Sequence, residues 1–414
     1  MLTPAAINLP RRYPGLKPFD RSQSAVFHGR QEDAQRLTNL IVRERLVVLF
    51  AKSGIGKTSM LQAGVAPQLE NQDFLPIFLR ADKTDAPLSV SIGEVLDKSP
   101  QVGHRDSTGL RPGLRQTIWE QMKRLEFDLD GLPATPVLIF DQFEEVFTLD
   151  HDEASRREFL LELADLANEA LPEAVRADLL AGLQADTPLS PDIMHWWEHQ
   201  PELRVVISIR SDFLHLLDDI SPLIPGILHN RYQLQPLNRQ QAQTAIEAPA
   251  KAPGAFASQP FGYRPDAIQG ILDFLAGRAS ADGAQEVSGL PAQKKQDEIE
   301  SFNLQILCQN VENETIDQHQ PAGFEVRPEF YGGHEGLEGE IRDFYQKQLQ
   351  QLPDLFTRKT GQAVPDAGSF VGTAQCLIEE DLVTPIGRRC SMVDDFLTNK
   401  WHVSHEFLDT LVDS

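Results

Sequence analysis

Two glycines ahead of a lysine and a threonine, and three carboxylates behind an apolar run, are the residues here that could do chemistry together. Ser53-Gly54-Ile55-Gly56-Lys57-Thr58-Ser59 follows the run Leu46-Val47-Val48-Leu49-Phe50-Ala51. Small residues let consecutive backbone N–H groups curl around an anion, which bulky side chains would block. Lys57 would then reach the β- and γ-phosphate oxygens of a nucleotide, and the Thr58 hydroxyl would ligate Mg²⁺. Ser53, Gly54, Ile55, Gly56 and Ser59 complete the cradle. The spacing is that of the phosphate-binding loop G-x-x-x-x-G-K-[ST], except that Ala51 stands at its first glycine. Alanine suits a strand end but lacks glycine's backbone freedom. The alternative is a strand–turn–helix with an incidental lysine.

The second group is Pro136-Val137-Leu138-Ile139-Phe140-Asp141-Gln142-Phe143-Glu144-Glu145. In a parallel sheet, strands finish at a common edge, so Asp141 would lie near Thr58 and hold Mg²⁺ with it. Glu144 and Glu145 follow three and four positions on, and one of them could polarise an attacking water as general base. They could instead favour the first turn of the next helix through its dipole. Gln142 stands where many phosphate-loop ATPases keep a catalytic glutamate, which leaves the hydrolysis rate open.

To position these groups the chain needs parallel strands with helices between them. Apolar runs predict strands near 46–50, 75–80, 136–140 and 203–209, and a helix from about Gln31 to Arg43. The alternation is that of an α/β, doubly wound parallel sheet. Residues 151–200 read as helical, broken at Pro172, Pro188 and Pro191, and partly as an insertion. From about 238 the pattern turns helical. Asn238 through Gln241 could cap a helix ending at Ala248, before Pro249. Residues 276–298 and 312–334 read as irregular, with helical spacing resuming over 299–312. The last eighty residues read as short helices with a turn at Thr384–Arg389, either a winged-helix-like module or a plain bundle. Residues 1–12 read as a tail.

Composition narrows the classes. A formal net charge of −23 over 414 residues argues against a general binder of nucleic acid or anionic membrane. Three scattered cysteines, without a C-x-x-C, fit reduced thiols, and the eleven histidines form no metal-spaced cluster. His195, beside Trp196 and Trp197, fits packing rather than ligation. With no leader and no apolar run of spanning length, the chain is expected to be soluble and cytoplasmic.

Several segments together resemble the STAND class of P-loop NTPases, specifically the bacterial novel STAND NTPase type. They are Tyr13-Pro14-Gly15-Leu16-Lys17-Pro18-Phe19, Phe27-His28-Gly29-Arg30, the loop at 51–58, Phe140 through Phe147, Ile209-Arg210-Ser211-Asp212-Phe213-Leu214 and Gln235-Pro236-Leu237. Ile299 through Cys308 resembles the family's lid helix, and Glu379 through Arg389 its winged-helix region. The resemblance implies a regulated ATPase switch that holds ADP in a closed monomer and forms homo-oligomers with ATP. It implies that Arg30 packs near the base, that Arg210 reads the γ-phosphate as a sensor arginine, and that Pro236 contacts adenine. Each has a plainer alternative: Arg30 as a helix cap, Arg210 paired with Asp212 or another surface acid, Pro236 as the start of a turn.

The expected organisation is a tail over 1–12, a nucleotide-binding domain over 13–237, a helical lid over 238–335 and a winged-helix-like domain over 336–414. Relatives of this type carry sensor and effector domains, so the chain is expected to be a truncated piece or to act with separate partner chains. The main functional reading is an ATP-hydrolysing signalling switch in bacterial defence or regulation. The competing one is a nucleotide-dependent scaffold without turnover, favoured by Ala51 and Gln142. A DNA-binding regulator is disfavoured because acids outnumber bases in the last forty residues. A GTPase is disfavoured because Asn399-Lys400 is followed by Trp401-His402, which is no guanine-reading element.

Overall fold

The computed structural model describes residues 9–81, 87–99, 101–104, 116–149, 152–184, 191–281, 298–378, 382 and 394–413. Two units divide the chain: one is Pro18–Gln235, and the other joins the residues up to Lys17 with those from Pro236 onward.

The first unit is built on five parallel strands: β1 (Leu46–Ala51), β2 (Phe74–Leu79), β3 (Thr135–Phe140), β4 (Arg204–Arg210) and β5 (Arg231–Gln233). Their order across the sheet is β2-β3-β4-β1-β5. β1, β3 and β4 are buried almost throughout, as their unbroken apolar sequences require of strands covered on both faces. Alternate residues serve opposite faces. Val48, Leu138, Val205 and Ile207 enter one core with Trp119 and Phe159, while Val47, Leu49, Val137, Ile139 and Val206 enter another. The helix Gln31–Arg43 covers that second face with Ala34, Leu37, Thr38 and Ile41, spaced as one helical stripe demands. The register aligns Ala51 with Arg210, Phe140 with Ile207 and Leu79 with Phe140, so the strands' C-terminal ends share one edge.

The four expected strands are present, and β5 adds a fifth. Its three residues are too few for a periodic signal. A small antiparallel sheet of Val102–His104, Leu125–Leu129 and Leu132–Pro133 also went unforeseen. Over 151–200 the described helices are Glu153–Ala167, Glu173–Gln184 and Pro191–Glu198.

In the second unit Asn238 does cap a helix, with Gln241 completing a capping box. That helix runs to Lys251, however, and so passes Pro249. The proline lies in the last turn, buried, and its carbonyl accepts hydrogen bonds from Arg12 and from the Ala252 N–H. The stretch expected to be irregular from 276 begins as the end of a helix, Pro265–Ala281. The helix expected over 299–312 spans Ser301–Asp317, and Phe324–Val326 pairs in parallel with Phe261–Tyr263. Residues 333–360 form one 28-residue helix rather than several short ones, because packing overrides Gly336, Gly339 and Pro353. Leu337, Leu349 and Leu352 supply its buried stripe. The helices Ala367–Leu377, Asp394–Trp401 and His405–Asp413 follow. The turn Thr384–Arg389 and nearly all of Glu379–Arg389 lie outside the described residues.

The supposed tail also needs correction at its end. Arg12 is fully buried, held by Glu312 and Ser258, with its side chain over the Phe256 ring. An arginine next to a proline-rich segment reads as solvated, and only partners some 240 to 300 residues on, Ser258, Glu312 and the carbonyls of Pro249 and Ala252, make the site hospitable to it. Among the described residues no helix is long and apolar enough to cross a membrane.

Candidate nucleotide-binding site

The loop leaves β1 at Ala51 and enters a helix at Lys57. Gly54 and Gly56 take φ of +77° and +99°, conformations that side chains resist, and a Cβ on Gly56 would face open space. Ile55 is buried in the core and anchors the curl from beneath. Ser53 and Gly54 are exposed at its outer rim, and Thr58 and Ser59 lie half-buried in the first helical turn. A π-helical turn, Met60–Val65, follows directly. The Lys57 ammonium donates to the Ala51 carbonyl at 3.2 Å. Burial lowers its pKa from the ordinary lysine value, against the opposing pull of Glu144 and Asp141.

Asp141 is the centre of the site, almost fully buried. Thr58 Oγ1 donates to its Oδ2 at 2.7 Å, and Ser208 Oγ donates to its Oδ1 at 2.8 Å. Arg80, just past β2, stands 3.9 Å from Oδ2 with its side chain half exposed. Neither Ser208 nor Arg80 was singled out from sequence. Ser208 is a hydroxyl in the interior of an otherwise apolar strand, and Arg80 is an arginine directly after Phe-Leu-Pro-Ile-Phe-Leu. Both signals are visible once the strand ends are known to converge.

The turn after β3 is bent by Gln142, a non-glycine residue at φ +57°. The Phe143 N–H donates to the Ser208 carbonyl, pinning the turn to β4. Glu144 is buried and accepts from the Arg210 backbone N–H at 3.2 Å. Glu145 is half-buried and starts the short helix Glu145–Thr148. The Arg210 guanidinium bonds Asp212 at 2.8 Å and lies over the Phe213 ring, while its Nε is a buried donor without a partner.

Arg30 is also buried, and its guanidinium donates to Asp33, to the Gln235 carbonyl at 2.7 Å and to the Ile55 carbonyl at 3.3 Å. It therefore braces the loop from behind. Pro236 belongs to the other unit, half-buried ahead of Leu237, which bridges to Ile299. The structure thus brings together Lys57, Thr58, Asp141, Glu144 and the Arg210 backbone at one sheet edge, with Arg30 behind.

These residues suit a magnesium nucleotide. The glycine curl is open, Arg210 keeps an unused buried donor, and the hydroxyl and carboxylate of Thr58 and Asp141 are the hard oxygen donors Mg²⁺ takes. The sequence pattern of the novel STAND NTPase 1 family matches residues 12–260, more than half of the chain. The chain belongs to that family. As a STAND NTPase it is a nucleotide-binding P-loop protein with an α/β core. No curated protein matches it. Among solved structures it is similar to the ORC2 protein of Aeropyrum pernix in ADPNP–ADP complexes, at 10% identity over 92% of this chain and 86% of that one, TM-score 0.40. It is also similar to Cdc6p from Pyrobaculum aerophilum, at 12% identity over 99% and 97%, TM-score 0.40. A Walker-type ATPase of Pyrococcus abyssi matches at 12% identity over 94% and 99%, TM-score 0.36.

Proposed function

We propose that this STAND NTPase is an ATP-binding, slowly hydrolysing switch of bacterial defence or regulation, with an ADP-bound off state and an ATP-bound state that forms homo-oligomers. The observation that carries the reading is the 2.7 Å bond from Thr58 to Asp141, which joins the loop's hydroxyl to a carboxylate 83 residues away, just past the end of β3. In this reading the loop from Ser53 to Ser59 wraps the phosphates, Lys57 neutralises the β- and γ-oxygens, and Thr58 and Asp141 hold Mg²⁺. Bound there, the ion supplies charge neutralisation on the phosphates. Glu144 or Glu145 polarises the attacking water. Arg210 leaves Asp212 for the γ-phosphate, and its strand end reports that move. Arg30 fixes the back of the loop near the base, and Pro236 contacts adenine. Residues 238–335 serve as lid and 336–414 as a winged-helix-like module, with sensor and effector domains in partners or elsewhere in a longer product.

A second reading, a nucleotide-dependent scaffold without turnover, is favoured by Gln142 at the usual glutamate position and by Ala51 at the first glycine. Single-turnover assays on the purified chain separate the two. Co-purified ADP with slow ATP hydrolysis that Lys57→Ala abolishes and Glu144→Gln or Glu145→Gln suppresses supports the switch. ATP binding with negligible turnover that neither glutamate substitution lowers further supports the scaffold.

A further inference from the structure

The chain passes between its two units twice, at Lys17–Pro18 and at Gln235–Pro236, and each crossing is tied to the phosphate-binding loop. At the first, the Phe19 N–H donates to Ser59 Oγ at 3.1 Å, one residue past Thr58. At the second, Arg30 donates both to the carbonyl of Gln235, the last residue of the sheet unit, and to the carbonyl of Ile55 inside the loop. Proline follows the crossing point in both cases, which restricts Lys17 and Gln235 to extended backbone and stiffens the passage.

On the far side the first crossing ends in a lock. The Arg12 and Tyr13 N–H groups converge on the Glu312 carboxylate at 3.0–3.1 Å, and Ser258 Oγ donates to the same carboxylate. The Arg12 guanidinium is satisfied by Ser258 and by the carbonyls of Pro249 and Ala252. The Tyr13 hydroxyl donates to the Ile246 carbonyl. Gly15 keeps φ +70° with Gln309 lying where a side chain would be. Five residues lie between the Tyr13 lock and the Phe19 anchor, so the chain spanning them extends to about 20 Å at most.

We propose that residues 10–19 and the Arg30–Gln235 latch are two tethers through which occupancy of the phosphate-binding loop is transmitted to the helical unit. The proposal rests on the nucleotide-binding reading. A ligand that fixes Ser59 and Ile55 fixes the two chain ends leaving the sheet unit. A stiff, short tether passes that constraint to Glu312, whereas a slack one does not.

Hydrogen exchange on the full chain with and without Mg·ADP tests it, with mant-ADP affinity measured in parallel. Lengthening the tethers by Gly-Ser-Gly-Ser after Leu16 and after Gln235 leaves every anchoring residue in place. In the wild type, ADP is expected to slow exchange in peptides covering 10–17 and 305–315 by roughly threefold or more. In the doubly lengthened chain that protection is expected to vanish at saturating Mg·ADP, with occupancy verified by mant-ADP titration because the insertion after Gln235 also displaces Pro236. Glu312→Gln, which keeps the shape but weakens the lock, should lose the protection at 10–17 with mant-ADP affinity within about twofold of wild type. The proposal is overturned if the lengthened chain keeps full protection at 305–315, or if the wild type binds ADP without protecting either segment. A wild type that binds no ADP overturns the nucleotide reading itself, and the tethers with it.

Discussion

Ser208→Ala removes one atom from the interior of β4 and should be felt at the nucleotide. Ser208 is fully buried, Asp141 nearly so, and the 2.8 Å bond between them holds one oxygen of a carboxylate whose other oxygen takes the Thr58 hydroxyl. A hydrogen bond to a charged group contributes about 1.5–3 kcal/mol, and its loss leaves Asp141 Oδ1 short of a donor in a site with little water. For a unit of about 220 residues, each kcal/mol moves the melting temperature by roughly 2–4 °C, so a fall of about 3–12 °C is expected. The β4 backbone ladder, including the carbonyl that accepts from Phe143, is untouched, so the loss should be local. Mant-ATP titration with Mg²⁺ and with EDTA reads the second consequence. An Asp141 held through Oδ2 alone, by Thr58 and the nearby Arg80, should lower the Mg²⁺-dependent affinity about tenfold, or ~1.4 kcal/mol, and leave the Mg²⁺-free affinity unchanged. A melting temperature within about 1 °C of wild type, together with an unaltered Mg²⁺ dependence, would refute the positioning role assigned to Ser208.

Three other perturbations have defined outcomes. Arg30→Ala strips a buried guanidinium from Asp33 and from the Ile55 and Gln235 carbonyls, and chemical denaturation should show a loss of about 3–5 kcal/mol. Gly56→Ala meets no steric obstacle but must hold φ +99°; expected are a stability cost of about 1–2 kcal/mol and weakened mant-ADP binding, checked by melting and titration. Burial raises the Asp165 pKa from 3.8 to about 6, against the lowering by Arg176. The fold therefore prefers its neutral form, whose stabilising contribution is present below pH 3.8 and lost as pH rises through about 6. Asp165→Asn should remove that decline, so its melting temperature should exceed the wild type's near neutral pH and converge with it in acid.

What was legible in the sequence depended on whether neighbouring residues carried the signal. β1, β3 and β4 are continuous apolar runs, and the chemistry at their ends comes in compact groups, so Lys57, Thr58, Asp141 and Glu144 could be named in advance. The capping box at Asn238 and Gln241 is equally local. Ser208 and Arg80 were missed because each matters only through a partner on another strand. Arg12 was missed because nothing near it announces Glu312, and the helix past Pro249 because the compensation for a proline there comes from outside the helix. The long helix 333–360 failed on propensity: glycines and a proline argue for breaks, and a buried leucine stripe outweighs them.

The turn that follows β3 is also where the chemistry and the fold depend on each other most. The β3–β4 ladder is regular as far as Phe140 and Ile207, and then Gln142 turns left-handed and the strands part. Beyond that point three hydrogen bonds take over from the ladder: Ser208 Oγ to Asp141, the Phe143 N–H to the Ser208 carbonyl, and the Arg210 N–H to Glu144. Both carboxylates are therefore placed by β4 rather than by their own turn. The Arg210 residue whose backbone holds Glu144 is the one whose guanidinium now rests on Asp212. A ligand that drew that guanidinium away would act on the same residue, so the ion pair with Asp212 and the position of the buried glutamate would change together. Coupling of this kind needs no long pathway, only a strand end shared by an arginine side chain and a backbone amide. It also gives Gln142 a purpose that its amide chemistry does not, since the left-handed turn it supplies brings Glu144 back to the Arg210 N–H at the end of β4.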